Sequence, residues 1–183
     1  MLFSQHNKGF TLIELLVVVS IIGLMSSVVL AAVTSARMRA ENSAVKANLA
    51  NAQDQAALFY EANGNSYGIT PNQTDDGVTK NVCWQGSLAG GTTPGIYKFL
   101  EAARDATHFG MQIQTNLVPP FNSPDAYRTV ACNINIDSWI AVAPLADSTQ
   151  AVPHMWCVDS TGTRKELIGI TGGPYWQYTC SYY

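Results

Sequence analysis

Apolar residues are unevenly spread along this chain. Between Phe10 and Val33 nearly every position is apolar. The stretch holds one charge, Glu14, and small or polar interruptions at Thr11, Ser20, Gly23, Ser26 and Ser27. A helix rises about 1.5 Å per residue, so about 20 such residues cross a bilayer core. The pattern predicts one membrane-length helix, and no other window approaches it. From Ser35 to Ala62 the pattern changes. Alanine and other good helix formers dominate, and apolar residues recur at Met38, Val45, Leu49, Ala52, Ala56 and Phe59. That spacing places them on one helical face. Asn63-Gly64-Asn65 then supplies a stop. Together the two stretches predict one helix from Phe10 to Ala62, about 80 Å long. Its first half is expected to protrude and its second to pack on a head. A coiled coil would use the same stripe, but the stripe is short and a head follows.

The remainder reads as that head. Tyr67 to Lys80 is polar and turn-rich, a surface connection. Thr93-Pro94 is expected to open a short helix running to Arg104, with Thr93 as its cap. After Gly110 the pattern becomes short apolar runs broken by Pro, Asn, Asp and Gly. Strands are expected at Met111–Thr115, Tyr127–Cys132, Ser138–Ala143, His154–Asp159 and Lys165–Ile170. Residues 139–142 and 155–158 are expected to pair antiparallel across the Pro144–Pro153 connection. The fold class is therefore α+β, a long N-terminal α-helix packed on a small antiparallel sheet. The expected organisation is a short polar segment at 1–9, a membrane-length helix at 10–34, an amphipathic helix at 35–63 and a globular head at 64–183. The tail from Thr171 is rich in Gly and aromatics, and the sequence suggests no role for it.

Composition narrows the function. Of 183 residues, 47% are hydrophobic and 13% charged, and the net charge is −3. A soluble domain carries about 25% charged residues. Bulk basicity is absent, so nothing indicates a nucleic-acid partner. The N-terminal apolar run admits three readings: a cleaved signal peptide, a signal anchor or a specially processed N-terminus. Leu30-Ala31-Ala32 offers small residues for ordinary cleavage. Two features oppose that reading: Glu14 costs about 3 kcal/mol in an apolar core, and the helical pattern continues well past Ala32. Lys8 precedes the run while Arg37, Arg39 and Lys46 follow it, so a bare count places the C-terminal side in the cytoplasm. The cysteines argue the opposite.

Lys8-Gly9-Phe10-Thr11-Leu12-Ile13-Glu14 is the most specific string in the chain. It resembles the class III leader of type IV pilins and of type II secretion pseudopilins. The likeness runs from Lys8 to about Gly68, with a weaker echo at Trp156 to Gly162. The resemblance implies cleavage by a prepilin peptidase between Gly9 and Phe10, and N-methylation of Phe10. It implies that 1–9 is a leader, that 10–34 is a filament-core helix and that Glu14 is the family's signature acidic residue. Removing positions 1–9 takes away Lys8 and leaves 9 basic against 13 acidic residues. It also creates an α-ammonium at Phe10, near Glu14. In a filament, Glu14 of one subunit is expected to pair with the Phe10 ammonium of its neighbour and set register, because an unpaired buried charge is costly. The plainer reading of Glu14 is a carboxylate reaching the headgroups. Many type IV pilins carry a Pro midway along this helix, where Ala31 stands here. Its absence predicts a straighter helix and does not separate pilin from pseudopilin.

The resemblance also implies partners and location. The partners are copies of this chain or related pilins, the prepilin peptidase, the inner-membrane assembly machinery, and lipid before assembly. The subunit would cross the inner membrane once, head outside the cytoplasm, and then enter an extracellular or periplasmic filament.

Cys83, Cys132, Cys157 and Cys180 all follow the apolar run. Their even number and wide spacing suit disulfides in an oxidising compartment, and no C-x₂₋₄-C pair suggests zinc. Three pairings exist. The favoured one joins Cys83 to Cys132, stapling the loop to the sheet, and Cys157 to Cys180, tying down the tail. No catalytic motif appears: His6, His108 and His154 read as isolated, and no cofactor or metal is called for. Gly90-Gly91 reads as a turn. Asp75-Asp76-Gly77 is a weak calcium candidate that lacks EF-hand spacing. Asn72-Gln73-Thr74 matches a glycosylation sequon. The expected role is a structural filament subunit. The alternative is a disulfide-bonded secreted or membrane-anchored binding module that does not polymerise.

Overall fold

The computed structural model describes residues 9–68, 81–84, 94–107, 109, 112–115, 126–169 and 180. They form two compact units, Met1–Met38 and Arg39–Tyr183. Helix α1 covers Leu12–Ala62, 51 residues, as one element that is unbroken at Ala31. It ends as its sequence predicts. Gly64 adopts φ 70° and Asn65 φ 61°, and the Asn65 amide donates back to the Tyr60 carbonyl at 3.0 Å. That is a Schellman closure, which needs a left-handed residue just past the helix.

In the second unit, α1 buries Val45, Leu49, Ala52, Ala56 and Phe59, the predicted stripe without Met38, which is exposed. Opposite lies a five-stranded sheet in the order β1-β2-β3-β4-β5. The strands are β1 (Ile113–Thr115), β2 (Val130–Ile134), β3 (Trp139–Pro144), β4 (His154–Asp159) and β5 (Arg164–Ile168). Pairing of β3 with β4 is antiparallel, with Val142 opposite Cys157 and Pro144 opposite Met155. The sheet is mixed, which corrects the expectation of a purely antiparallel one. β1 runs parallel to β2, Ile113 opposite Val130. The connection at 116–129 is long enough for the crossover that parallel neighbours require.

One strand and one helix also start later than expected. Tyr127 lies in a 3₁₀ turn (Ala126–Arg128), and β2 begins at Val130. Helix α2 covers Tyr97–Asp105 and starts later than expected. Ile96 precedes it without a side-chain cap, and Thr93 lies outside the described residues. The cause is a prior contact. The Ile96 amide donates to the Val82 carbonyl at 2.8 Å, and a Cβ on Gly95 would collide with that same oxygen. The chain is held against the 81–84 segment before the helix can begin.

Both faces of the sheet are apolar. The inner face offers Val130, Cys132, Ile134, Trp139, Ala141, Ala143 and Val158 to the α1 stripe and to Leu100 and Ala103 of α2. The outer face carries a second cluster: Ile140, Val142, Met155, Cys157, Leu167 and Cys180. This explains why β3 is buried at every position, where a half-exposed strand would alternate. Disulfides join Cys83 to Cys132 and Cys157 to Cys180, each with Cα atoms 5.9 Å apart. The first ties the 81–84 segment to β2. The second brings position 180 onto the outer face.

Candidate functional site

The first turn of α1 holds the residues that the sequence singles out. Leu12 is the first helical residue, so Thr11 occupies the cap position. The Thr11 amide donates to Glu14 Oε2 at 2.9 Å, and the Thr11 hydroxyl donates to the same oxygen at 2.8 Å. The Glu14 amide faces Thr11 Oγ1 at 3.3 Å. This is a reciprocal capping box, which satisfies amides that a helix start leaves without partners. The Glu14 carboxylate therefore turns back on its own chain. Phe10 is 85% exposed, and nothing lies within 4 Å of the place where a Cβ on Gly9 would sit.

Beyond the box the helix is apolar and bare. Residues from Leu12 to Val33 are exposed throughout. α1 contains a window of mean hydropathy 2.7, long and apolar enough to cross a membrane. Between Leu12 and Thr34 the side-chain hydroxyls all find acceptors on their own helix. Ser20 donates to the Leu16 carbonyl at 2.7 Å and Ser26 to Ile22 at 2.7 Å. Ser27 donates to Leu24 at 2.8 Å and Thr34 to Leu30 at 2.9 Å. Such back-bonding leaves no hydroxyl proton unpaired against hydrocarbon.

In the second unit, two side chains draw polar groups together. Asp159 is fully buried. Its Oδ1 accepts from the Thr161 amide at 2.9 Å and from the Thr161 hydroxyl at 2.6 Å, and its Oδ2 accepts from the Cys180 amide at 2.6 Å. It closes the β4–β5 turn and fixes the cystine at once. His154, read from sequence as isolated, is not. It stands between Asp147 and Glu166. Among the described residues no group of three or more His, Cys, Asp or Glu is arranged to hold a metal. The Asp75-Asp76 calcium candidate, the 72–74 sequon, Gly90-Gly91, His6 and His108 lie outside the described residues.

Comparison with known proteins meets this geometry at the N-terminus. The sequence model of the prokaryotic N-terminal methylation motif matches residues 4–30. The chain is also 42% identical over 69 residues to the type IV wide pilus major component PilA4 of Thermus thermophilus, an alignment covering 38% of this chain and 50% of that protein. Over that stretch the chain is similar to a type IV pilin. The chain spans about half the length of the curated relative it matches. No solved structure matches.

In this pilin-type N-terminus the methylation motif, the capping box and the exposed apolar helix are one continuous segment. Thr11 is the residue that sequence reasoning passed over. Its signal was present: Thr11-Leu12-Ile13-Glu14 is a T-x-x-E capping string set before an apolar run.

Proposed function

We propose that this chain is the structural subunit of a type IV pilus or related filament. A prepilin peptidase cuts between Gly9 and Phe10 and the new Phe10 amine is methylated. The subunit waits in the inner membrane with its head outside the cytoplasm. Assembly machinery then moves residues 10–34 from lipid into a filament core made of the same helix from other copies. The observation that carries this reading is the exposed apolar first half of α1, most of which lies within the methylation-motif match at residues 4–30. The two disulfides support a head in an oxidising compartment. The role is structural rather than catalytic.

The test is an intact mass and N-terminal peptide map of the protein from its host. A chain that begins at Phe10 with one added methyl group is expected. A chain beginning near Ala32 overturns the reading in favour of a secreted module. An intact Met1 favours a membrane-anchored one.

A further inference from the structure

One side-chain cluster in the head plays no part in the assembly proposed above. Asn42 and Lys46 are one helical turn apart on α1 and share a face. Asn42 Oδ1 accepts from the Ala146 amide at 2.6 Å, and its Nδ2 lies 3.3 Å from Asp147 Oδ1. Asp147 Oδ2 is 2.6 Å from His154 Nδ1. The other ring nitrogen, Nε2, meets Glu166 Oε1 in a short contact. Glu166 Oε2 is 3.1 Å from Lys46 Nζ, which also stands 4.6 Å from the centre of the Trp156 ring. The chain of contacts starts and ends on α1. It passes through the β3–β4 connection, β4 and β5.

The His154 ring sits at its centre, 15% exposed, between two carboxylates. A neutral imidazole has one N–H and one lone pair, so it can donate to only one of them. The second contact would then set a lone pair against a carboxylate oxygen. An imidazolium donates to both. It also balances the cluster: two carboxylates face one ammonium and one imidazolium.

We propose that the His154 proton closes a clasp that fastens α1 to the β3–β4 connection and to β5, and that the clasp opens when this proton leaves. The groups that face the ring are Asp147 from the connection and Glu166 from β5, with Lys46 of α1 reached through Glu166. The carboxylates bound the clasp on the acid side. Burial alone would raise both, yet hydrogen bonds from His154, and from Lys46 to Glu166, hold each below its ordinary value. Groups lowered in this way stabilise the fold above their unfolded values and lose that contribution as pH falls through the folded ones. The imidazolium contacts are present while both ring nitrogens carry a proton and are lost when one leaves. Two titrations therefore open the clasp: proton uptake by the carboxylates and proton loss from the ring.

The test is thermal unfolding of the full chain in detergent micelles, from about pH 4 to about pH 9, beside His154→Gln. Glutamine keeps a donor but does not titrate. The wild-type advantage in Tm is expected to reach a few degrees between the two titrations and to shrink toward both ends. An advantage that stays constant across the range overturns the proposal. Should the variant fail to fold, the unmodified chain answers by NMR. The Asn42 side-chain amide and the Lys46 resonances are expected to shift with the same midpoint as the His154 ring nitrogens. If His154 titrates and those signals stay still, there is no clasp.

Discussion

On the proposed function, two partners would compete for Glu14. Within one chain it closes the Thr11 capping box. In a filament the methylated Phe10 ammonium of a neighbour would compete for the same carboxylate. The two roles separate by substitution. Thr11→Ala removes a cap, which costs a helix about 1 kcal/mol, and keeps the carboxylate. Glu14→Ala removes both. We expect Glu14→Ala to reduce filament yield about tenfold or more, since breaking a buried charge pair costs about 3–5 kcal/mol. Thr11→Ala is expected to reduce it far less, with membrane insertion unchanged in both. Equal yields from the two variants would assign the loss to the helix cap alone. At this scale the sequence was legible for residues whose partners lie a few positions away. Thr11 could have been read in that way. His154 could not: Asp147 and Glu166 are 7 and 12 residues from it, and only the hairpins of the sheet bring them to one ring.

Elements were legible where periodicity carries the information. The α1 stripe and its stop follow from spacing and from Gly64. Strand direction does not follow, because a period of two reads the same for parallel and antiparallel neighbours, so β1 was misassigned. The late start of α2 depends on Val82, a contact no local pattern contains. Two glycines make the difference between local and tertiary control measurable. Gly64 has φ 70° and open space where a Cβ would sit. Gly64→Ala should therefore cost only the left-handed conformation, about 1–2 kcal/mol. Gly95→Ala would drive a Cβ into the Val82 backbone and should cost more, in the range of overpacked cores, about 1–3 kcal/mol plus the Ile96–Val82 hydrogen bond. Denaturant unfolding of the two variants in micelles gives the comparison. A larger loss at Gly64 would contradict it.

For the whole molecule, the second apolar face of the sheet matters most. A head that simply lay on α1 would leave Ile140, Val142, Met155 and Leu167 facing water. The Cys157–Cys180 bridge instead holds position 180 among them, and Asp159 grips the Cys180 amide. Cys157→Ala with Cys180→Ala is expected to lower head stability by about 2–5 kcal/mol and to raise binding of an apolar dye. Loss of stability without new dye binding would mean that the outer face stays covered without the bridge. The first unit has a different economy of contacts. Ser20, Ser26, Ser27 and Thr34 each bond to a carbonyl of their own helix. Moving that helix from lipid to a protein-lined surroundings therefore breaks no hydroxyl bond, and moving it back breaks none either. On the proposed function the hydroxyls then oppose the passage in neither direction, and the charge pairing of Glu14 is what a subunit withdrawn into the bilayer would give up.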